Sequence, residues 1–326
     1  MGISGFLYQN RISSSFKPIF DAMQFVPNYV KAYKEGKLQK RVEQLKKILS
    51  RCALCPRQCK VNRAEDKRGF CGAGKYLLVS SAFAHSGEES CLVGKHGSGA
   101  IFFSHCNLKC VFCQNYEISH IAEGSAVTKE QLASYMLRLQ AIGCHNINLV
   151  TPTHFMPQIL EGLSLAAEQG LNIPLVYNCG GYESGEAIDM LEGIVDIYMP
   201  DAKFSSADVS GELCGADDYF PNLKKVLKKM HQQVGDLEID SEGIARRGLL
   251  VRHLVLPNGL AGTREIMEFI SRQISPDTYI NIMAQYRPCA EAYKFPRIDR
   301  YISQQEYVEA VEISRSFGLH RFDREG

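Results

Sequence analysis

Phe103-Ser-His-Cys106-Asn-Leu-Lys-Cys110-Val-Phe-Cys113-Gln-Asn115 is the stretch on which the reading of this chain turns. Its three cysteines fall in a C-x3-C-x2-C spacing on one short polar loop, with the aromatic Phe112 just before the last. Three thiolates so placed hold three corners of a cubane iron–sulfur cluster and leave one iron without a protein ligand. An electron-transfer ferredoxin normally supplies four. An open iron binds something else, so the loop reads as a reaction centre. A zinc site completed by a distant ligand is the competing reading of the same spacing.

From this loop onward the chain alternates short β-like runs with helical patterns, the sign of parallel strands joined by crossover helices. The runs cover 100–103, 146–150, 175–177, 194–199, 249–256 and 279–283. The helical patterns cover 129–141, 157–169, 185–191, 222–233, 264–273 and 303–317. Six such units predict an α/β fold, a partial (β/α)6 barrel of the TIM type, shorter than the usual eight.

Parallel barrels carry their chemistry on loops after the C-terminal ends of the strands. Each predicted strand runs into a polar tail at that end. The cysteine loop comes first, then Thr151-Pro-Thr153-His154, Asn178-Cys179-Gly-Gly-Tyr182 and Pro200-Asp201-Ala-Lys203. Arg252-His253 leads into Pro257-Asn258-Gly259, and Gln285-Tyr286-Arg287 closes the series. Alternation along an extended segment puts Asp201 and Lys203 on one face. Arg252, inside a barrel, needs an anionic partner. His105 and His154 read either as proton donors or ligands, or as hydrogen-bonding supports.

Three zones are expected: a helical lead-in at 1–51, a cysteine-rich metal-binding segment at 52–95, and the barrel at 96–326. The lead-in ends in a basic amphipathic helix over 37–51, with Leu38, Val42, Leu45 and Leu49 on one stripe, the pattern of a surface helix packed along one face. Cys52, Cys55, Cys59 and Cys71 supply four thiolates within twenty residues. That set suits structural zinc or a second [4Fe–4S] cluster, and the spacing leaves both open. Cys91 is a spare candidate ligand. Cys144, Cys179, Cys214 and Cys289 read as buried thiols.

The chain has 326 residues, 45% hydrophobic and 22% charged, with a formal net charge of +1. Near-neutral charge gives no pull toward nucleic acid or an acidic membrane. No apolar run approaches the length of a membrane span. Asn10, Arg11, Lys17 and Asp21 interrupt the N-terminal apolar residues, against a signal peptide. Phe6 stands where a myristoylation signal wants Ser or Thr. Twelve cysteines without a secretory leader point to metal or redox chemistry in a reducing compartment, with the cytoplasm as the expected location.

The triplet resembles the signature of the radical S-adenosylmethionine (SAM) superfamily. Gly97-Ser-Gly-Ala-Ile-Phe-Phe-Ser104, Asn146-Ile-Asn-Leu-Val-Thr-Pro-Thr-His154, Asp196-Ile-Tyr-Met-Pro-Asp-Ala-Lys203 and Arg252-His-Leu-Val-Leu-Pro-Asn258 extend the likeness to one branch. It is the branch related to pyruvate formate-lyase activating enzyme, often called PflX-like, and Pro56-Arg57 and Val61-Asn62-Arg63 of the cysteine box share the resemblance. The likeness covers roughly residues 52 to 290. It implies a [4Fe–4S] cluster on Cys106, Cys110 and Cys113 and SAM as the occupant of the open iron. Reductive cleavage to a 5′-deoxyadenosyl radical, fed by a flavodoxin- or ferredoxin-type donor, is implied with them. Thr151, Thr153 and His154 stand where many relatives carry a Gly-Gly-Glu segment for the SAM ammonium. Asn178 is then a candidate for the ribose hydroxyls. Asp201 and Lys203 would line the SAM and substrate pocket, and Arg252 would meet the SAM carboxylate or a substrate anion. The substrate expected is a glycyl-radical enzyme, another protein or peptide, or a small molecule to be modified or epimerised. A non-enzymatic iron–sulfur or zinc protein is the competing class.

Overall fold

The computed structural model describes residues 25–323. The expectations about a leader and lipidation fall on residues 2–21 and lie outside the described residues. The strands are β1 (Leu77–His85), β2 (Ser98–Phe103), β3 (Ser125–Val127), β4 (Ile147–Val150) and β5 (Leu175–Cys179), followed by β6 (Ile197–Pro200), β7 (Glu238–Ile239), β8 (Ala245–Leu254), β9 (Tyr279–Met283) and β10 (Arg321–Phe322). They form one sheet in the order β10-β9-β8-β6-β5-β4-β2-β1-β3, with β7 beside β8. The run from β2 to β10 is parallel throughout, while β1 pairs antiparallel with both β2 and β3. The six predicted strands are therefore the parallel core, and the fold is the expected partial barrel.

Side-chain alternation divides the sheet into an inner and an outer face. Val176, Ile197, Met199 and Leu250 pack together inside with Leu92 and Ala245. Tyr177, Tyr198, Leu249 and Val251 point outward into the larger core beneath the helices. Helix Lys129–Ala141 begins at a capping box made by Thr128 and Gln131, and helix Gln304–Ser316 at one made by Ser303 and Glu306.

The two edges of the sheet are joined by side chains rather than by a backbone ladder. The short helix Ser90–Val93, between β1 and β2, fills the gap. Ser90 donates from both its N–H and its hydroxyl to Asp323 (3.1 and 2.6 Å), to which Tyr279 also donates (2.9 Å). Asn281 on β9 donates to Glu89 at 2.8 Å, and Asn146 donates to the Leu92 carbonyl at 2.9 Å. Cys91 lies in this seam, away from the cysteine box.

The lead-in has a structural task that its sequence does not reveal. Helix Asn28–Lys34 sits under the N-terminal ends of β5 and β6, where the Asp196 carboxylate accepts the N–H groups of Asn28 (2.7 Å) and Leu175 (2.9 Å). This capping explains why the fourth parallel strand starts at Ile197 and not at 194. Helix Lys37–Ile48, continued by a 3-10 turn at Leu49–Arg51, packs against helix Met156–Glu168, with Leu38, Val42 and Leu45 buried and Lys46 paired to Glu161 at 2.5 Å. Burial of this stripe supplies the stabilisation, since the exposed ion pair contributes little. Leu45→Ala is expected to lower unfolding free energy by about 2–4 kcal/mol, read by urea denaturation. No change would show that the helix is not docked.

Candidate active site

The C-terminal ends of the parallel strands surround a cavity of about 350 Å³. Cys106, Cys110 and Cys113 line it together with Thr151, Asn178, Asp201, Lys203 and Arg252. The pleat explains the placement: Val176 and Leu250 form part of the apolar floor, and two residues on, Asn178 and Arg252 occupy the same inner face at the mouth.

The cysteine loop is held by specific contacts. Phe112 is buried edge-on against Phe204 and Tyr286, at centroid distances of 6.0 and 5.8 Å. Val111 donates its N–H to the Leu213 carbonyl at 2.9 Å, and Asn107 donates to the Tyr182 carbonyl at 2.6 Å. His105 and Lys109 adopt left-handed backbone conformations, with φ of 72° and 53°, which lets so short a loop turn its sulfurs toward the cavity. The sulfurs act as acceptors: the Leu108 N–H lies 3.4 Å from Cys106 Sγ, and the Ser119 hydroxyl 3.2 Å from Cys113 Sγ. Burial pushes the Cys106 thiol up to about 12 and raises Cys113. Cys110 is raised by its contact with the Cys214 thiol and then by burial. The thiols therefore keep their protons until a cation replaces them.

Among the described residues, no three Cys, His, Asp or Glu side chains converge on a point suited to one metal ion. A cubane does not require that convergence, because each thiolate binds a different iron. The donor set and the acceptor geometry of the sulfurs fit such a cluster.

Thr151 has a φ of 59°, an outlier for a β-branched residue. Its N–H donates to the Asn178 carbonyl at 2.8 Å, tying the ends of β4 and β5 together. The Tyr219 hydroxyl does the same between β5 and β6, lying 2.9 Å from the Gly180 carbonyl and 2.7 Å from that of Asp201, and accepting the Lys203 N–H at 3.0 Å.

Lys203 and Asp201 form a partly buried ion pair at 2.6 Å. Arg252 is surrounded by carboxylates, at 3.5 Å from Glu88, 3.3 Å from Glu89 and 3.8 Å from Asp201. Glu88 lines the cavity, and burial, opposed by Arg252, lifts its carboxyl to about 7. Sequence reasoning missed Glu88 and Glu89 because it overlooked β1, whose Ser80, Ser81 and Ala82 blur its alternation. The only signal was the adjacent pair of acids just before the apolar Cys91-Leu92.

Not every expected residue faces the cavity. Thr153 donates to Glu183 at 2.8 Å beneath the sheet, and His154 is buried with Nε2 2.7 Å from the Ser104 carbonyl. His154 lines the pocket of the cysteine box instead, with Cys52, Cys55, Cys59 and Cys71. His105 does line the main cavity. Burial lowers the two histidines to about 4 (His105) and about 3 (His154), so both are neutral at ordinary pH. Of the isolated cysteines, Cys144, Cys179 and Cys214 are buried as expected, while Cys289 is partly exposed.

A model of the Radical SAM superfamily matches residues 100–236 of this chain. A protein of Methanocaldococcus jannaschii, "Uncharacterized protein MJ0674", is 34% identical over 309 residues, covering 92% of this chain and 84% of that one. The pyruvate formate-lyase-activating enzyme of Clostridium pasteurianum is 26% identical over 186 residues, 52% of this chain and 76% of that enzyme. Among solved structures, a radical SAM methyltransferase from Sphaerobacter thermophilus superposes with a TM-score of 0.47 at 13% identity, covering 90% of this chain and 92% of that one. The chain belongs to the radical SAM superfamily, whose enzymes use a [4Fe–4S] cluster and SAM. Its similarity to pyruvate formate-lyase activating enzyme is weak. Among the described residues no helix is long and apolar enough to cross a membrane.

Glu183 offers a test of the packing behind the cavity. It is fully buried and accepts hydrogen bonds from Thr153 and, at 3.1 Å, from the Tyr177 hydroxyl. Burial outweighs these bonds and raises its carboxyl to about 7. The folded chain thus keeps a proton up to about pH 7 that the unfolded chain releases near 4.5, so stability falls as pH rises through that window. Glu183→Gln is expected to stabilise the protein at pH 8 by on the order of 1–3 kcal/mol. The advantage should fade as pH falls toward 4.5. Denaturation curves across this range check it, and a pH-independent difference would refute the assignment.

Proposed function

We propose that this chain is a radical SAM enzyme that reductively cleaves SAM in the cavity and directs the resulting radical at a substrate entering by the strand ends. One observation carries the reading: the three triplet cysteines and the polar residues of five further strand ends face the same cavity. The chemistry available from a bound [4Fe–4S] cluster and SAM is cleavage of the sulfonium to methionine and a 5′-deoxyadenosyl radical, a property of the cofactors.

The residues of the chain orient and shield. Cys106, Cys110 and Cys113 would hold the cluster. Arg252 and Lys203 present cations to a carboxylate, and Asp201 with Glu88 presents acceptors to an ammonium. Asn178 and the strained Thr151 offer hydrogen bonds to hydroxyls. Thr153 and His154 support the Thr151 turn from behind. Glu88 holds or releases a proton at the cavity wall near neutral pH. Cys52, Cys55, Cys59 and Cys71 form a second metal site, for zinc or iron–sulfur, and the reductant is a flavodoxin- or ferredoxin-type protein in the cytoplasm.

A cavity of about 350 Å³ lies at the low end of small-molecule sites. The substrate is then a small molecule, or one side chain of a peptide, presented at the strand ends. Glycyl-radical activation is the second reading, supported by Asp201-x-Lys203 and by the similarity to the Clostridium pasteurianum enzyme.

Anaerobically reconstituted, dithionite-reduced protein incubated with SAM is expected to yield 5′-deoxyadenosine, measured by chromatography. Absence of product from protein with an intact cluster spectrum would sink the proposal. Cys110→Ala is expected to abolish product. Arg252→Lys, which cannot keep the forked contacts, should lower kcat/KM for SAM about 10-fold or more.

A further inference from the structure

The cysteine box contains a buried cation that the cavity chemistry does not use. Arg63 is 1% exposed. Its guanidinium donates to the Gly74 carbonyl (3.2 and 2.9 Å) and the His154 carbonyl (2.5 Å), and Nη1 approaches Cys52 Sγ at 4.0 Å. Its other near neighbour is the face of Phe155, 5.7 Å away. Among the described residues no carboxylate pairs with it. Carbonyl dipoles satisfy its N–H groups but leave its net charge unbalanced, and a buried ion without a counter-charge is strongly unfavourable.

Arg57 on the same segment repeats the pattern. Partly exposed, it donates to the carbonyls of Asn107, Cys214 and Gly215 and stacks on Phe70 at 3.8 Å, with no carboxylate partner among the described residues. Two cations thus flank a pocket of four cysteines that contains no acid. As thiols the cysteines are neutral. Bound as thiolates around Zn2+ or an oxidised [4Fe–4S] core they carry a net charge of about −2.

We infer that Cys52, Cys55, Cys59 and Cys71, which do not converge on a point suited to one metal ion, hold an anionic tetrathiolate [4Fe–4S] cluster, and that Arg63 is its built-in counter-charge and determines how firmly the cluster is kept. The inference rests on the reading of the box as a metal site. Arg63 also links this centre to the cavity. The His154 carbonyl it holds belongs to the turn after β4 that carries Thr151, and Gly74 lies close to Gly72, on which His105 packs. Metal in the box would therefore brace two loops of the active site from outside the barrel, making Arg63 a positioning residue.

The test uses the full chain with Cys106, Cys110 and Cys113 replaced by Ala, so that metal is counted only at the box. The protein is loaded anaerobically with Zn2+ alone, or with Fe2+ and sulfide, and metal loss to a chelator is followed. Retention of iron with a cluster spectrum is expected, and retention of zinc alone would overturn the cluster assignment. Arg63→Gln, which keeps donors but loses the charge, is expected to weaken retention about 10- to 100-fold, and to shrink the rise in Tm that loading produces. Arg63→Lys, which keeps the charge, is expected to hold metal nearly as well as the parent. If the parent retains neither metal, the metal-site reading itself is overturned. If it retains metal but Arg63→Gln releases it at the parent rate, the counter-charge role fails while the centre stands. Equal losses in the Gln and Lys variants would give Arg63 a packing role and also overturn the inference. Should the Gln variant not fold, the Lys variant decides: retention near the parent's supports the counter-charge, and marked loss overturns it.

Discussion

The sheet is not closed by backbone hydrogen bonds, and the ion network around Arg252 binds its inner face to the segment that fills the gap. The guanidinium projects from β8 into the barrel, where it meets Asp201 from β6 and Glu88 and Glu89 from the connection after β1. It therefore ties the inner face of the sheet to the connection that follows β1. Lys203 balances Asp201 from the same side. Three carboxylates against two cations, all largely buried, leave one negative charge in excess, and the Glu88 carboxyl, raised to about 7, is where the protein relieves it. The network that completes the barrel is thus the network that lines its cavity, so fold closure and site electrostatics depend on the same residues.

Around this centre the cavity is assembled from strand ends that are tied pairwise. Thr151 bonds to Asn178, and the Tyr219 hydroxyl bridges Gly180 and Asp201. The Ala202 N–H donates to the Arg252 carbonyl at 2.7 Å. Each tie continues the sheet past the last regular residue, which holds polar side chains rigidly where a free loop would let them wander. The cysteine box lies against the outside of this arrangement. Arg57 reaches the carbonyl of Asn107 within the triplet loop, so a segment with little hydrophobic core of its own is anchored to that loop.

The barrel was legible because its strands and helices repeat a strong local pattern. The helix at Lys129–Ala141 matches its expected bounds, and the other core elements differ by a few residues where capping intervenes, as at Asp196. The flanking elements were not legible. Strand β1 is only half-buried along most of its length and pairs antiparallel near an edge, so neither alternation nor a continuous apolar run marks it. Helix Ala207–Cys214 is too short for its periodicity to stand out. Among candidate site residues, those on the inner face at strand ends converge on the cavity, as alternation demands. Thr153 and His154 turn away because the strained turn at Thr151 redirects the chain.

The alternation of strands and helices and the polar strand ends pointed to the barrel and to most of the residues around its mouth, and the C-x3-C-x2-C triplet carried the resemblance to the superfamily, because spacing along a loop and alternation along a strand are properties of the local chain. Only the tertiary structure could bring Glu88 and Glu89 against Arg252, more than 160 residues away in sequence, or bury Arg63 among carbonyls with no acid paired to it among the described residues. Those relations depend on which elements pack together across the seam and beneath the sheet, and no local pattern encodes the charge balance of a buried site.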